Sequence, residues 1–192
     1  MKTILRNSKR SEHKVQYCVF DLIYYKGKKV TDLPLLERKH LLDSILYDTN
    51  HIAKVQWTDS NGEAYFDLIQ QHGLEGIVLK RANSKYQINK RSKDWLKVIN
   101  YQYTDVFITG FRKNQFGLLL GIEEGNNIKP AGVMEFMNTA AREQFYNLHS
   151  HLIIDENKKF VFIEPSIKCK VKFRNYTKAG FLRIPSFVEY IS

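Results

Sequence analysis

The stretch Gly73-Leu-Glu-Gly-Ile-Val-Leu-Lys-Arg-Ala-Asn-Ser-Lys-Tyr-Gln-Ile-Asn-Lys-Arg-Ser-Lys-Asp-Trp-Leu-Lys-Val-Ile99 decides how this chain is read. The apolar run Ile77-Val78-Leu79 predicts a buried strand, and Trp95-Leu96-Lys97-Val98-Ile99 predicts a second one beyond a loop dense in Lys and Arg. The two strands carry one carboxylate, Glu75, and two lysines, Lys80 and Lys97. A site for a nucleoside phosphate and a divalent metal needs this mixture, since ammonium groups neutralise phosphate oxygens and a carboxylate holds a hard cation through oxygen. On chemistry alone, a solvated hairpin with a basic tip accounts for the same residues equally well.

Outward from this stretch, Val15 to Tyr25 is rich in β-branched and aromatic residues and ends at Lys26-Gly27-Lys28, which predicts a strand and a turn. Thr31-Asp32-Leu33-Pro34 opens a helix whose stripe is Leu35, Leu41, Leu42, Ile45 and Leu46. A strand over His51 to Trp57 and a helix over Glu63 to His72 follow, the helix with Ala64, Leu68 and Ile69 inward and Gly73 as its cap. Residues 1–14 are polar and basic without a period and read as a frayed lead-in. The isolated His51 and His72 read as ordinary surface or core histidines.

After Asn100 the pattern turns to strands: Tyr103 to Phe111, Phe116 to Ile122 and Ala131 to Met137, with Gly125-Asn126-Asn127 as one of the turns. A helix over Thr139 to Leu152, with Phe145, Leu148, His149 and Leu152 on one face, precedes strands over Phe160 to Ile163, Ile167 to Phe173 and Phe181 to Val188. Five or six strands with one helix after the third is the organisation of an OB-fold barrel. Alternation puts Lys168, Lys170, Lys172 and Arg174 on one strand face, which suits a phosphate backbone and equally suits a solvated strand.

Four segments, in order, resemble one family. Val19-Phe20-Asp21-Leu22-Ile23-Tyr24-Tyr25-Lys26-Gly27, Glu75-Gly76-Ile77-Val78-Leu79-Lys80, Trp95-Leu96-Lys97 and Leu182-Arg183-Ile184-Pro185-Ser186-Phe187 are similar to motifs of ATP-dependent DNA ligases of the small, phage-like type. Leu35-Leu36-Glu37-Arg38 also resembles a ligase segment; its leucines read as packing and Arg38 is given no function. The resemblance implies an α+β chain: the second half of a nucleotidyltransferase (ATP-grasp-like) domain over residues 1–100, then an OB-fold domain over 101–192. It implies that Phe20 stacks adenine, that Glu75 holds Mg2+, and that Lys97 and Lys80 contact the phosphates of ATP. Arg183 and the Lys168, Lys170, Lys172, Arg174 row would face nicked duplex DNA.

The family's nucleophilic lysine stands in a Lys-x-Asp-Gly motif, and none of Lys2, Lys9 or Lys14 lies in one. Ile99 stands where the family's fifth motif has a second lysine, and the closing Arg-x-Asp-Lys motif of larger ligases is missing. The expectation is therefore a C-terminal ligase part that does not self-adenylate, with a separate N-terminal ligase fragment as a partner. A non-catalytic nucleic-acid-binding OB module, and an RNA ligase or capping-type nucleotidyltransferase, are the alternatives.

The 192 residues carry 30 Lys and Arg against 20 Asp and Glu, a net charge of +10 that favours a polyanionic partner. Dividing after Asn100 leaves +7 on the first part and +3 on the second. Cys18 and Cys169 have no metal-binding or disulfide spacing and read as small core residues. With no membrane-length apolar run and no signal-peptide core, a cytoplasmic monomer is expected.

Overall fold

The computed structural model describes residues 15–59 and 61–191, so the expected lead-in over 1–14 lies outside the described residues. The chain divides into two compact units. The first holds the described residues up to Tyr65 together with Val78–Lys97, and the second holds Phe66–Ile77 with Val98 onward.

In the first unit, β1 (Tyr17–Val19) is far shorter than the strand expected over Val15 to Tyr25. The strand ends because Asp21 turns away to meet the buried Arg38, and its carboxylate also accepts from the backbone N–H of Leu22 at 2.8 Å. The chain resumes as the hairpin β2 (Tyr24–Tyr25) and β3 (Lys28–Lys29). Its turn has φ +47° at Lys26 and +75° at Gly27, the two left-handed residues of a type I′ turn, whose twist matches the flanking strands.

Helix α1 (Leu35–Ile45) starts at Pro34, as expected. Its buried face is Leu35, Arg38, Lys39 and Leu42, whereas Ile45, expected inward, is exposed. Strand β4 (Ile52–Lys54) then pairs in parallel with β1, Tyr17 opposite Ile52. Cys18 on β1 is exposed, against the expectation of a core residue.

Helix α2 (Gly62–Gln71) buries Ile69 but exposes Ala64 and Leu68, so its inner face lies one position away from the expected one, at Tyr65, Phe66 and Ile69. Gly73, at φ +62°, ends it by donating to the carbonyl of Gln70, and Leu74 donates to Ile69 at 3.0 Å. Strands β5 (Gly76–Lys80) and β6 (Trp95–Ile99) form and pair, but the run expected to be buried is not, since Val78 and Leu79 of β5 are exposed.

The second unit is a curled sheet around one core. Strands β7 (Gln102–Arg112), β8 (Leu118–Glu124) and β9 (Asn127–Met134) form a meander. The turn Gly125-Asn126 joins Glu124 to its partner Asn127, with Gly125 at φ +63°. Asn138 caps α3 (Thr139–Leu148), its side chain accepting from Ala141 N–H at 2.8 Å. Phe145 of α3 is wholly buried in the core and stacks on His149, while Leu148, expected on the same face, is exposed.

Strand β10 (Ile153–Glu156), which no apolar pattern announced, pairs with the first part of β11 (Phe160–Phe173). β11 is one strand where the pattern suggested two: Glu164-Pro165-Ser166 is absorbed as an irregularity between Phe162 and Ile167 rather than a turn. β11 pairs with β7, and its far end pairs with β12 (Ser186–Ile191). A parallel bridge between Phe136 and Ser186, and a hydrogen bond from Leu182 N–H to the Ala131 carbonyl, bring the last segment back to the β9 end. The strands thus curl on themselves in the manner of an OB fold, around Val106, Ile108, Leu118, Leu120, Val171 and Phe173.

Candidate functional site

In the first unit the site grows from a buried ion pair. Arg38 is fully buried and Asp21 nearly so, and the guanidinium binds both carboxylate oxygens, Nε to Oδ1 at 2.8 Å and Nη2 to Oδ2 at 3.0 Å. Nη1 donates to the backbone carbonyls of Leu33 and Ser84, the latter at 3.2 Å. These bonds join the end of β1, the start of α1 and the loop after β5, so burying the charges fixes three segments at once.

Next to Asp21, Phe20 is 45% exposed and meets Trp95 edge to face at 6.1 Å. Lys80 Nζ lies 4.8 Å from the Phe20 ring centre and 3.9 Å from that of Trp95, a cation held against two aromatic faces. Burial, and then the nearby Lys39, pull the Lys80 ammonium down to about 8. Tyr86 packs edge to face on Trp95 at 5.8 Å and lies 5.8 Å from the Arg38 guanidinium, linking the aromatic cluster to the ion pair. Lys97 is exposed on β6, two residues beyond Trp95 and so on the same strand face.

Sequence reasoning gave Phe20 and Lys80 separate roles, and the structure puts them in contact. Arg38 and Lys39 were passed over. A signal was present, because Arg38 falls at the i+3 position between Leu35 and Leu42 and therefore on the stripe that α1 buries.

In the second unit Glu75 precedes β5. Its backbone carbonyl accepts from Asn100 N–H at 2.9 Å, and Asn100 Nδ2 donates to Leu74 at 3.0 Å. The Glu75 carboxylate accepts from Arg174 Nη1 at 3.3 Å. Of the expected cationic row, Lys170 is paired with Glu189 at 2.8 Å, which pushes its ammonium up from the ordinary range. Lys168 lies over Phe107 at 5.3 Å and Lys172 over Tyr101 at 5.0 Å. Arg183 is exposed, and its backbone exchanges hydrogen bonds with Arg174 and Asn175 at 3.1 and 2.9 Å.

A half-exposed phenyl ring beside an ammonium suits a purine with its phosphates. Among the described residues no three His, Cys, Asp or Glu side chains come together as a metal cage. The single carboxylate of Glu75 fits Mg2+ nonetheless, because that ion is commonly held by one or two carboxylates with phosphates and water completing its shell. No helix among the described residues is long and apolar enough to cross a membrane.

Residues 2–98, half of the chain, match the family model described as ATP dependent DNA ligase domain. The chain belongs to the ATP-dependent DNA ligase family. It is 49% identical over 183 residues to the SPbeta prophage-derived DNA ligase-like protein LigB of Bacillus subtilis (strain 168), covering 95% of this chain and 66% of that protein. It is 28% identical over 215 residues to a DNA ligase of Methanospirillum hungatei, covering 98% of this chain and 39% of that enzyme. The chain therefore spans two thirds or less of these relatives. A solved Lig E DNA ligase superposes with a TM-score of 0.61 at 15% identity, over 92% of this chain and 63% of that one, a likeness of fold.

Proposed function

We propose that this ligase-family chain acts as the C-terminal part of an enzyme that seals nicks in duplex DNA through enzyme-AMP and DNA-AMP intermediates. Residues 1–100 act as the second half of the nucleotidyltransferase domain and residues 101–192 as the OB-fold domain. The observation that carries this reading is the contact of Lys80 with the half-exposed Phe20 ring inside the segment that matches the ligase model.

In this reading adenine stacks on Phe20, and Lys80 and Lys97 offset phosphate charge. When bound, Mg2+ neutralises charge on the phosphates, and Glu75 is the residue that holds it. Lys168, Lys172, Arg174 and Arg183 meet the phosphates of the nicked duplex, and Lys170 joins them on leaving Glu189. The nucleophile lies outside these 192 residues, since covalent catalysis needs an activated amine at phosphorus and they hold no Lys-x-Asp-Gly. The docking surface for the segment that bears it is the first unit's own sheet. Among the described residues β1 pairs only with β4, and Tyr17, Val55, Val78 and Leu79 are exposed.

The test is reconstitution with a separately expressed N-terminal ligase fragment bearing Lys-x-Asp-Gly, with labelled ATP, Mg2+ and nicked duplex. The chain alone is expected to stay unlabelled, and the mixture to seal the nick, with sealing lost in Glu75→Ala. Acid-stable label on this chain alone would refute the separate nucleophile. Association without sealing would favour the alternative of a barrel that only binds nucleic acid, for which the alternating cationic face of β11 speaks.

A further inference from the structure

The Glu75–Arg174 contact joins residues 99 positions apart in the chain. Its two ends are built differently. The Glu75 backbone is fixed by its bond from Asn100, and the next residue, Gly76, is packed so closely that an added Cβ would lie 2.2 Å from the Val98 carbonyl oxygen. Arg174, by contrast, offers only Nη1 to only Oε1, at 3.3 Å, instead of the two-pronged fork that guanidinium and carboxylate form at their best. The side chains remain 54% and 29% exposed, and ion pairs of that kind contribute little and exchange readily.

The guanidinium is also left with unmet hydrogen-bonding capacity. Arg174 Nε is buried without a partner, as is Asn175 Oδ1 beside it. With only Nη1 engaged by Glu75, the guanidinium keeps further N–H donors that a phosphate oxyanion would accept from. Arg174 follows the end of β11, the strand whose one face carries Lys168, Lys170 and Lys172, and its backbone N–H bonds to Arg183. A second cation arriving at Glu75 would be repelled by the guanidinium already there.

We propose that Arg174 and a divalent cation exchange on the Glu75 carboxylate, so that metal loading frees Arg174 for a nucleic-acid phosphate. The contact then holds back one cation of the nucleic-acid face until the metal is in place. This rests on the reading of Glu75 and the cationic row given above.

The experiment measures Mn2+ binding to the 192-residue chain by electron paramagnetic resonance, for the wild type, Glu75→Gln, Arg174→Ala and Arg174→Lys, each first checked for native circular dichroism. Removing the competitor is expected to tighten Mn2+ binding several-fold in Arg174→Ala and less in Arg174→Lys, which keeps the charge. Glu75→Gln is expected to weaken it several-fold. In a second measurement, fluorescence anisotropy with labelled nicked duplex at constant ionic strength and without metal, Glu75→Gln binds several-fold tighter than wild type. That gain disappears when Arg174→Ala is added.

If Glu75→Gln loses Mn2+ but Arg174→Ala binds it as the wild type does, the exchange is wrong and the metal role of Glu75 stands. If Glu75→Gln keeps its Mn2+, the metal reading falls and the exchange falls with it. A duplex gain of equal size with and without Arg174 would be a plain charge effect and would also overturn the proposal.

Discussion

Arg38 and Asp21 form a two-pronged ion pair almost wholly removed from solvent, with contacts of 2.8 and 3.0 Å. Taking away one partner of such a pair leaves a charge buried alone, at a cost of about 3–5 kcal/mol, whereas replacing both by apolar residues of similar volume is often nearly neutral. Arg38→Met is therefore expected to unfold the first unit at markedly lower denaturant, and Arg38→Met with Asp21→Leu to recover most of the loss. Both tryptophans, Trp57 and Trp95, belong to this unit, so tryptophan fluorescence follows its unfolding alone. Equal destabilisation by the single and double variants would mean that the carbonyl bonds of Arg38, rather than its charge, hold the segment.

Lys80 gives the first unit a pH response. Its ammonium is lowered from 10.5 to about 8, first by burial and then by Lys39, so the unfolded chain binds that proton more tightly than the folded one. The folded state is thus penalised below about pH 8, and its stability rises as pH climbs from about 8 towards the unfolded value. Because Nζ lies 3.9 Å from the Trp95 ring, tryptophan emission is expected to titrate with a midpoint near 8. Lys80→Met is expected to abolish that titration and to reduce the difference in stability across this window, the remainder coming from Lys39, which burial also lowers. Tyr190, raised to about 12 by burial, acts in the opposite sense at higher pH, which makes the comparison with Lys80→Met essential.

Gly76 and Gly27 separate steric from conformational cost. Both have positive φ, +142° and +75°, but a Cβ on Gly76 would lie 2.2 Å from Val98 O, whereas nothing stands within 4 Å of one on Gly27. Gly27→Ala is expected to cost about 1–2 kcal/mol, the ordinary penalty of a left-handed residue. Gly76→Ala must also push β6 away from β5 and is expected to cost clearly more, read as the larger shift in thermal midpoint. Similar midpoints for the two would show that the β5–β6 pair gives way freely.

Most of the second unit was legible in the sequence because its strands other than β10 bring an apolar alternation that local periodicity can register, down to the lysine face of β11. The first unit was less so. The strand expected through Tyr25 breaks after β1 because a buried arginine 17 residues away captures Asp21, a long-range event without local pattern. The inward face of α2 was placed one residue off because Tyr65 and Phe66 offer as much apolar area as Ala64 and Leu68, and only packing chooses between them. β10 is exposed along its length, and it pairs through its backbone, which composition does not record. Phe20, Lys80 and Trp95 could each be picked out, but their mutual contact could not, since it arises where separate strands meet.

The three lysines on one face of β11 do not act as equal charges. Each lysine that neutralises a phosphate releases condensed counterions and adds about 0.9 to the slope of log affinity against log salt. Lys168 and Lys172 rest on aromatic rings, at 5.3 and 5.0 Å, and keep their charge free for phosphate. Lys170 is held by Glu189 at 2.8 Å and must give up that partner before meeting another anion. In anisotropy titrations with nicked duplex, Lys168→Ala and Lys172→Ala are each expected to reduce the slope by close to the full increment, and Lys170→Ala by less. Glu189→Gln should raise the affinity of a chain that retains Lys170 and do little in Lys170→Ala. If all three lysine variants lower the slope equally, the Lys170–Glu189 pair opens without cost on binding. If none lowers it, nucleic acid binds another face, and the alternation along β11 serves only to keep that strand wet on one side.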